Sequence, residues 1–415
     1  MRSVPISSDL FIRNRSKLIN RLSDSALAIL SSSPQMPRNG DQFYVYRQHS
    51  DFFYLSGIFQ QESILVLSSS AETLFIRRPD PKIQLWSGSL LTMEKAMRFS
   101  GIRDVRWLDE VDEFLEKELQ NAGKLYLSEI PGVQLYERIK ALYPYVERIG
   151  LGPIMTQLRM IKEPEEVEEI RKACAITRSA FLKVVNMLKP GMMEYEVEAE
   201  LGAEFIRTGA QGHAFEPIVA SGSNALVLHY VENHGSLDKG DLVLLDFGAE
   251  LNNYAADCSR TLPVGGKFSK RQGELYDAVH QVFIQAREMM VPGVLMGDFH
   301  KRVGELWQEK HISLGLYTLD EARESLEADP LWKKYFMHGT SHSLGMDVHD
   351  PFERSEPFAP GMVLTCEPGI YIQEEGIGIR LENDILITEN GPEDLMADIP
   401  MEAGEIEDLM QSNMK

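Results

Sequence analysis

The chain has 415 residues, of which 43% are hydrophobic and 25% are charged. This length exceeds what one compact core usually holds, and the composition is globular rather than fibrous or disordered, so we expect two domains. The formal net charge of −21 argues against nucleic acid or an anionic membrane as the main partner, because such a surface repels phosphate groups.

Three cysteines, Cys174, Cys258 and Cys366, lie far apart in the chain. An odd number of separated cysteines does not predict a disulfide framework. The N-terminus has no apolar stretch of the signal-peptide type, and no apolar run reaches the roughly 20 residues that cross a bilayer. We therefore expect a reduced protein of the cytoplasm.

The first part of the chain, to about residue 155, alternates apolar strand segments with helical ones. Residues 51–57 end in a turn signal at Gly57, and residues 63–67 and 73–77 have the composition of buried strands. This alternation predicts a small α/β domain over residues 1–157.

The pattern changes around residues 158–170. Pro164 followed by Glu165 and Glu166 is a helix-start signal, and apolar residues then recur at helical spacing until Pro190-Gly191. We place the domain boundary here, so that residues 158–415 form the second domain.

The second domain contains an internal repeat. The helix that ends at Pro190-Gly191 is matched by a predicted helix over residues 274–291, which ends at Pro292-Gly293, 102 residues later. In each copy an apolar strand leads from a glycine to a carboxylate six residues on; the pairs are Gly240 with Asp246 and Gly361 with Glu367. His229 and His349 precede these carboxylates by 17 and 18 residues. Unless the likeness is chance, two copies of one unit bring a carboxylate and a histidine to a shared interface.

Asp246 follows four apolar residues, a run typical of a strand buried on both faces. A lone ionised carboxylate there needs a cation, although a salt bridge or a strand-end turn would also account for it. Asp257 stands 11 residues later, beyond an Asn252-Asn253 turn, and a hairpin brings the two carboxylates together. Adjacent carboxylates repel unless they share metal ions or a proton.

Two further acids lie in the second copy. Glu367 ends its strand before a sharp turn, and residues 378–387 alternate with period two. That alternation predicts one strand with Arg380, Glu382 and Asp384 on a single face, although an edge facing water would give the same pattern.

Residues 338–350 hold three of the ten histidines, His338, His342 and His349. Glycines at 339 and 345 predict a loop or an extended segment rather than a helix. A single histidine is usually structural, but histidines beside four strand-end carboxylates indicate a pair of divalent ions about 3.5–4 Å apart. Oxygen ligands with one nitrogen favour manganese, cobalt, iron or zinc. Such ions make hydroxide available at neutral pH and polarise a carbonyl. Hydrolysis at such a site needs no side-chain nucleophile.

Five motifs between about residues 160 and 400 resemble the pita-bread metallopeptidases, most closely the aminopeptidase P and prolidase group. They occur in the order found in that family: Leu245–Ala249, Asp257–Thr261, His338–Asp350, Glu367–Tyr371 and Arg380–Asp384. The resemblance implies an α/β (α+β) protein, with a pseudo-twofold pita-bread catalytic domain preceded by a smaller α/β domain.

The resemblance also implies roles for individual residues. Two divalent ions, with manganese favoured, would be held by Asp246, Asp257, His342, Glu367 and Glu382. In that scheme Asp257 and Glu382 bridge both ions, Asp246 holds one, and His342 with Glu367 holds the other. His229, His338 and His349 would steady the peptide carbonyl and the tetrahedral intermediate on the substrate side, Arg380 would join the catalytic set, and Glu367 would pass a proton to the leaving nitrogen.

Residues 50–57 and Trp86–Gly88 resemble the N-terminal domain of aminopeptidase P, which in the family edges the cleft. Asp51, in company with Arg380, would then help to hold the substrate's ammonium group through its own carboxylate; a turn or cap aspartate is the alternative.

The resemblance implies an Xaa-Pro aminopeptidase that acts on proline-containing peptides, with a homodimer expected. Prolidase, a strict dipeptidase, is the alternative, but no long insertion with an extra arginine lies between Glu367 and Glu382. Methionine aminopeptidase lacks a domain like residues 1–155, and creatinase-like relatives lack the full metal set. A non-catalytic binding relative is the most remote alternative, because the ligand set is intact.

Overall fold

The computed structural model describes residues 4–88, 90–128, 134–326 and 328–412. The chain divides into two compact units between Arg159 and Met160, two residues beyond the predicted boundary. No helix in the described ranges is both long and apolar enough to cross a membrane.

The first unit is built on a six-stranded mixed sheet with a separate small hairpin. In chain order its strands are β1 (Ala26–Ser31), β2 (Pro37–Asn39), β3 (Gln42–Phe43), β4 (Ile64–Leu67), β5 (Glu72–Ile76), β6 (Asp104–Trp107), β7 (Lys124–Leu127) and β8 (Glu147–Gly150). The sheet order is β6-β5-β4-β1-β7-β8, and β2 pairs with β3. The pairs β1–β4 and β4–β5 are antiparallel, whereas β1–β7, β5–β6 and β7–β8 are parallel. The strands predicted at 63–67 and 73–77 are confirmed as β4 and β5.

Seven helices are described in this unit: α1 (Ser8–Ile19), α2 (Ser50–Ser56), α3 (Pro81–Ser87), α4 (Met93–Ser100), α5 (Val111–Leu119), α6 (Gln134–Leu142) and α7 (Gly152–Met160). Helix α2 is fully buried and ends at Gly57, which has φ of +66°. A side chain at Gly57 would come within 2.3 Å of the Phe11 ring, so both the backbone conformation and the packing require glycine there. The predicted turn signal is confirmed.

The second unit contains the remaining elements. Its helices are α8 (Pro164–Met187), α9 (Glu194–Arg207), α10 (Lys270–Glu288), α11 (Met296–Ser313), α12 (Leu319–Glu324) and α13 (Ala403–Ser412). Its strands are β9 (Gly212–His213), β10 (Ile218–Ser221), β11 (Leu242–Phe247), β12 (Ala249–Leu251), β13 (Tyr254–Ala255), β14 (Cys258–Pro263), β15 (Val363–Cys366), β16 (Gly369–Ile372), β17 (Ile377–Arg380), β18 (Asn383–Thr388) and β19 (Gly391–Asp394). The predicted start of α8 is confirmed, with Pro164 in its first turn and a capping box between Glu163 and Glu166.

The internal repeat is visible as a repeated order of elements. Helices α8 and α9 precede strand β11, the hairpin β12–β13 and strand β14, which pairs with β11. Helices α10 and α11 precede strand β15, the hairpin β16–β17 and strand β18, which pairs with β15. Gly191 and Gly293, which follow the first helix of each copy, have similar φ values of +86° and +92°. The helix predicted over 274–291 instead runs from Lys270 to Glu288, and it starts earlier because Ser269 caps it.

The single strand predicted over residues 378–387 is wrong. The segment breaks at Leu381-Glu382 into β17 and β18, which belong to different sheets. The fully buried Arg260 stabilises the break, since its guanidinium donates to Glu382 O and to Asn383 Oδ1, both at 2.8 Å. The period-two pattern could not reveal a change of sheet, because both pieces are extended.

Candidate metal centre

One cavity of about 450 Å³ in the second unit brings together every predicted site residue except Asp51. Its charged and histidine side chains are Glu216, His229, Asp246, Asp257, His338, His342, His349, Glu367, Arg380 and Glu382. Its apolar side chains are Phe215, Ile218, Leu228, Val231 and Val348.

Strand pairing places the first two acids side by side. In the β11–β14 ladder Asp246 pairs with Ser259 and Phe247 with Cys258, so Asp257 emerges next to the end of β11. The intervening hairpin turns at Asn252 and Asn253, whose φ values of +50° and +67° suit asparagine better than most residues. The predicted hairpin is confirmed.

Arg380 supplies part of the charge that Asp246 requires. Its Nη2 donates to Asp246 Oδ2 at 2.6 Å, its Nε to Ser259 Oγ at 2.9 Å, and its Nη1 to the Tyr371 hydroxyl at 2.8 Å. A salt bridge therefore accounts for one oxygen of Asp246. Within the described residues the buried Oδ1 atoms of Asp246 and Asp257 have no hydrogen-bond partner.

His342 is oriented toward the acids by its own loop. Its Nδ1 lies 3.1 Å from Ser343 O, and because a carbonyl can only accept, Nδ1 is the nitrogen that carries the hydrogen. The lone pair of a neutral ring is then on Nε2, which lies 3.4 Å from Asp257 Oδ2 and 3.9 Å from Glu367 Oε1. A lone pair facing two carboxylates needs a cation between them, and a ring nitrogen tied to a backbone carbonyl is usual for a metal-bound histidine.

The acids are poorly compensated by the protein itself. Burial, together with repulsion from neighbouring carboxylates, raises the pKa values of Asp257 and Glu382 well above their usual range, and burial also raises the pKa of Glu367. Glu382 accepts one hydrogen bond from Ser259 Oγ at 2.6 Å. One ligand atom from each of Asp257, His342 and Glu382 lies within 4.8 Å of the others. These donors, oxygen-rich with one nitrogen, fit divalent cations.

The other histidines lie around this cluster. His338 Nε2 is 2.9 Å from the Tyr371 hydroxyl and its Nδ1 is 3.5 Å from Glu367 Oε2. Burial, helped by the Arg380 charge, lowers the pKa of His338 to about 3, so its ring is neutral. The His349 ring stacks edge-on against His342, with 4.4 Å between centroids, and His229 lines the cavity from the first copy of the repeat.

Besides Glu216 and the apolar lining, three residues that connect the site residues had no assigned role in the sequence analysis. Tyr371 links Arg380 to His338, Ser259 links Arg380 to Glu382, and Asp384 accepts from the backbone nitrogen of Asp257 at 3.1 Å. Tyr371 and Ser259 fall inside the quoted motifs but are uncharged, so charge patterning gave no signal for them. Asp384 was predicted on the same strand face as Glu382, and that placement was the sequence feature that could have identified it as a site residue.

Asp51 belongs to the first unit. Its Oδ1 lies 2.7 Å from Nη1 of Arg159, and both side chains are largely buried. The ion pair gives the carboxylate a structural partner, and its substrate-binding role stays a prediction.

Comparison with known proteins identifies both parts of the chain. The model of Metallopeptidase family M24 matches residues 168–389, and that of the Aminopeptidase P, N-terminal domain matches residues 11–126. The chain is 35% identical to the Xaa-Pro aminopeptidase of Escherichia coli (strain K12) over 99% of both chains. It is 31% identical to Xaa-Pro aminopeptidase 3 of Homo sapiens, over 93% of this chain and 81% of that protein.

Solved structures agree with the sequence comparisons. The aminopeptidase PepP of Pseudomonas aeruginosa superposes with a TM-score of 0.93 at 32% identity, covering 99% of this chain and 100% of that chain. Aminopeptidase P from E. coli with the inhibitor Pro-Leu gives a TM-score of 0.91 at 34% identity, with the same coverage of 99% and 100%. The predicted family resemblance, fold class and metallo-aminopeptidase class are confirmed. The chain therefore belongs to metallopeptidase family M24 and carries an aminopeptidase P N-terminal domain.

Proposed function

We propose that this protein is an Xaa-Pro aminopeptidase, which removes the N-terminal residue from peptides that have proline in second position. The observation that carries the proposal is that the five predicted metal ligands line a single cavity, with one oxygen each of Asp246 and Asp257 left unpartnered among the described residues. Relatives named for this activity match nearly the whole chain.

The proposed metal ligands are Asp246, Asp257, His342, Glu367 and Glu382. They would hold two divalent ions, with manganese as the proposed metal and cobalt, zinc and iron as alternatives. When bound, such ions acidify water and polarise the scissile carbonyl. The free oxygens of Asp246 and Asp257 and the Nε2 lone pair of His342 support this assignment.

The chain's own residues would place the substrate and move the proton. Glu367 faces the cavity beside His338, where its carboxylate can carry a proton to the leaving proline nitrogen. His229, His338 and His349 line the cavity, where they would border the peptide carbonyl, and Arg380 holds Asp246 and Tyr371 in position. The apolar side chains of Phe215, Leu228 and Val231 offer a surface for the proline ring and its neighbours.

The prolidase alternative requires a basic group for the substrate's C-terminal carboxylate. Among the described residues that line the cavity, Arg380 is the only lysine or arginine. All its donor nitrogens already bond to Asp246, Ser259 and Tyr371. Because Arg380 is already engaged in these bonds, it is poorly suited to bind the C-terminal carboxylate of a dipeptide. This supports an enzyme that accepts peptides longer than two residues.

Several wider features belong to the same proposal. We propose residues 1–157 and 158–415 as the functional domains, and the division between Arg159 and Met160 supports these limits.

Three buried free cysteines support a place in the reducing cytoplasm. A homodimer is what the family resemblance implies. Exposed apolar side chains such as Val45 and Trp86 offer surface that a second subunit would bury. Sedimentation velocity measures the oligomeric state. The acidic net charge supports peptides rather than nucleic acid or membrane as partners.

The deciding experiment compares Xaa-Pro-Yaa tripeptides with the matching Xaa-Pro dipeptides on the manganese-loaded protein. We expect release of the first residue from tripeptides with kcat/KM at least equal to that for dipeptides. A matched Xaa-Ala-Yaa tripeptide serves as the specificity control. Activity confined to dipeptides would make the protein a prolidase, and no cleavage of either substrate would contradict the proposal altogether.

A further inference from the structure

A buried lysine lies behind the loop that carries two of the cavity histidines. Nζ of Lys162 is 3.2 Å from Asp350 Oδ2 and 3.4 Å from Ser343 Oγ. The Lys162 and Asp350 side chains are each only 1% exposed, and neither residue lines the cavity. A buried ion pair gives little net stability, because the desolvation penalty offsets the attraction. The pair is therefore better explained by the geometry that it imposes.

The loop from Ser343 to Asp350 is closed on itself at its base. The backbone nitrogen of Asp350 donates to Ser343 O at 2.9 Å, and Asp350 Oδ1 accepts from the backbone nitrogen of Asp347 at 3.1 Å. The same Ser343 carbonyl accepts from Nδ1 of His342 at 3.1 Å. Lys162 thus contacts both residues at the base of the loop, and one of them supplies the carbonyl that orients the His342 ring.

The loop and the lysine are each tied to further parts of the site. Gly345 O accepts from the backbone nitrogen of Ala255 at 2.8 Å, which connects the loop to the hairpin that presents Asp257. The backbone nitrogen of Lys162 donates to Gly361 O at 2.9 Å, just before β15 and Glu367. Glu166, which accepts from the Tyr254 hydroxyl, is a second carboxylate that interacts with the ammonium.

We propose that Lys162 is a positioning residue for the metal centre, acting through Asp350 and Ser343 to hold the His342 ring with Nε2 directed at Asp257. Without the ammonium, the Asp350 carboxylate and the Ser343 hydroxyl lose the cation that links them. The base of the loop then loosens and no longer fixes the Ser343 carbonyl that sets the His342 ring. The inference rests on the proposed function only in taking His342 as a metal ligand.

The test is manganese binding to the metal-stripped, full-length protein, measured by titration calorimetry. We expect Lys162→Met to raise the Kd for Mn²⁺ by about 10- to 100-fold, the usual effect of losing a residue that orients a metal ligand. Asp350→Asn should act in the same direction. The double variant should be no weaker than the worse single variant, because both changes remove one interaction.

A second readout needs no metal. In ¹⁵N-edited spectra of the stripped protein, the His342 signals, assigned with His342→Gln, should report the Nδ1–H tautomer in the parent protein. In Lys162→Met they should report a mixture of tautomers. A residue with a purely structural role would leave this signature unchanged.

Lys172→Met is the matched control, because Lys172 pairs with the buried Glu169 from the same helix but is itself 48% exposed. It should leave both readouts unchanged. Unchanged Mn²⁺ affinity in folded Lys162→Met, or effects that multiply in the double variant, would overturn the proposal. If Lys162→Met does not fold, Lys162→Gln, which keeps a neutral donor, takes its place with the same expected direction. Failure of the proposed function would appear differently, as a parent protein that binds Mn²⁺ but cleaves no Xaa-Pro peptide.

Discussion

Buried carboxylates in the second unit differ in how their oxygens are satisfied. Glu194 is fully buried and accepts four hydrogen bonds, from Ser221 N, Asn224 Nδ2, the Tyr230 hydroxyl and Gly235 N. Asp246 and Asp257 each keep one oxygen with no donor among the described residues. A satisfied carboxylate stabilises the fold, whereas an unsatisfied one at a cavity wall indicates a missing cation.

Glu166 is a third case, buried beside Lys162 and Asp350 but away from the cavity. Burial raises its pKa to about 7, against the attraction of Lys162 and hydrogen bonds from the Glu163 backbone and the Tyr254 hydroxyl. Between its usual pKa near 4.5 and this value, the folded protein holds a proton that the unfolded chain releases. Its contribution to stability is therefore fully present below pH 4.5 and lost as the pH rises through about 7.

Glu166→Gln should remove this pH dependence, because an amide cannot ionise. The midpoint of thermal unfolding of the variant, relative to the parent, should rise between pH 5 and pH 8, by an amount corresponding to a few kcal/mol at most. Scanning calorimetry at both pH values measures it, with the exposed Glu353→Gln as control. A difference between variant and parent that is constant with pH would contradict the assignment.

At the scale of elements, the side chain of Glu194 ties together the two ends of residues 221–235, which lie between β10 and β11. Its carboxylate accepts from the backbone nitrogen of Ser221, the last residue of β10, and from that of Gly235. Leu228, His229 and Val231 lie between these ends and line the cavity. This part of the cavity wall, which comes from the first copy, is thus positioned by a residue from the first turn of α9.

Glu194→Gln should loosen this wall without disturbing the metal ligands, because an amide oxygen replaces only one of the two carboxylate oxygens. We expect KM for an Xaa-Pro-Yaa substrate to rise by about 10-fold, the loss of roughly 1.4 kcal/mol of binding, with metal content unchanged. Steady-state kinetics with elemental analysis checks both quantities. Glu196→Gln, which alters a capping residue of the same helix, should behave like the parent. Loss of metal in Glu194→Gln would show that the wall and the metal centre are not separable.

At the scale of the whole molecule, the candidate centre is shared between the two copies of the repeat. Asp246 and Asp257 come from the first copy, whereas His342, Glu367 and Glu382 come from the second. The copies are joined at this place by Glu382 N donating to Ser259 O at 3.1 Å and by the Arg380 bond to Asp246. Metal binding should therefore stabilise the folded second unit as a whole, since neither copy alone supplies the set.

Stripped protein should take up about two divalent ions per chain, and its unfolding midpoint should rise with Mn²⁺. The expected stabilisation is about 2.7 kcal/mol at 100 times the Kd. Asp257→Ala should lose this response and all hydrolysis while keeping its fold by circular dichroism, and Glu367→Ala should likewise lose hydrolysis. Asp320→Ala, an exposed acid on α12, is the control. No bound metal at saturating Mn²⁺, or full activity in either variant, would remove the ligand assignment.

The sequence predicted the second unit's repeat, the Asn252-Asn253 hairpin, and the histidines and acids of the cavity other than Glu216. It could do so because strand periodicity, turn residues and strand-end carboxylates are local features, readable within about ten residues. The tertiary structure alone decided that the strand breaks at Glu382, that Arg380 is committed to Asp246 and Tyr371, and that Lys162 pairs with Asp350. Lys162 and Asp350 are 188 residues apart in the chain, and no local sequence pattern predicts which buried charged residues will form an ion pair. That choice is made only when the packed core excludes water and brings particular charged groups within bonding distance of each other.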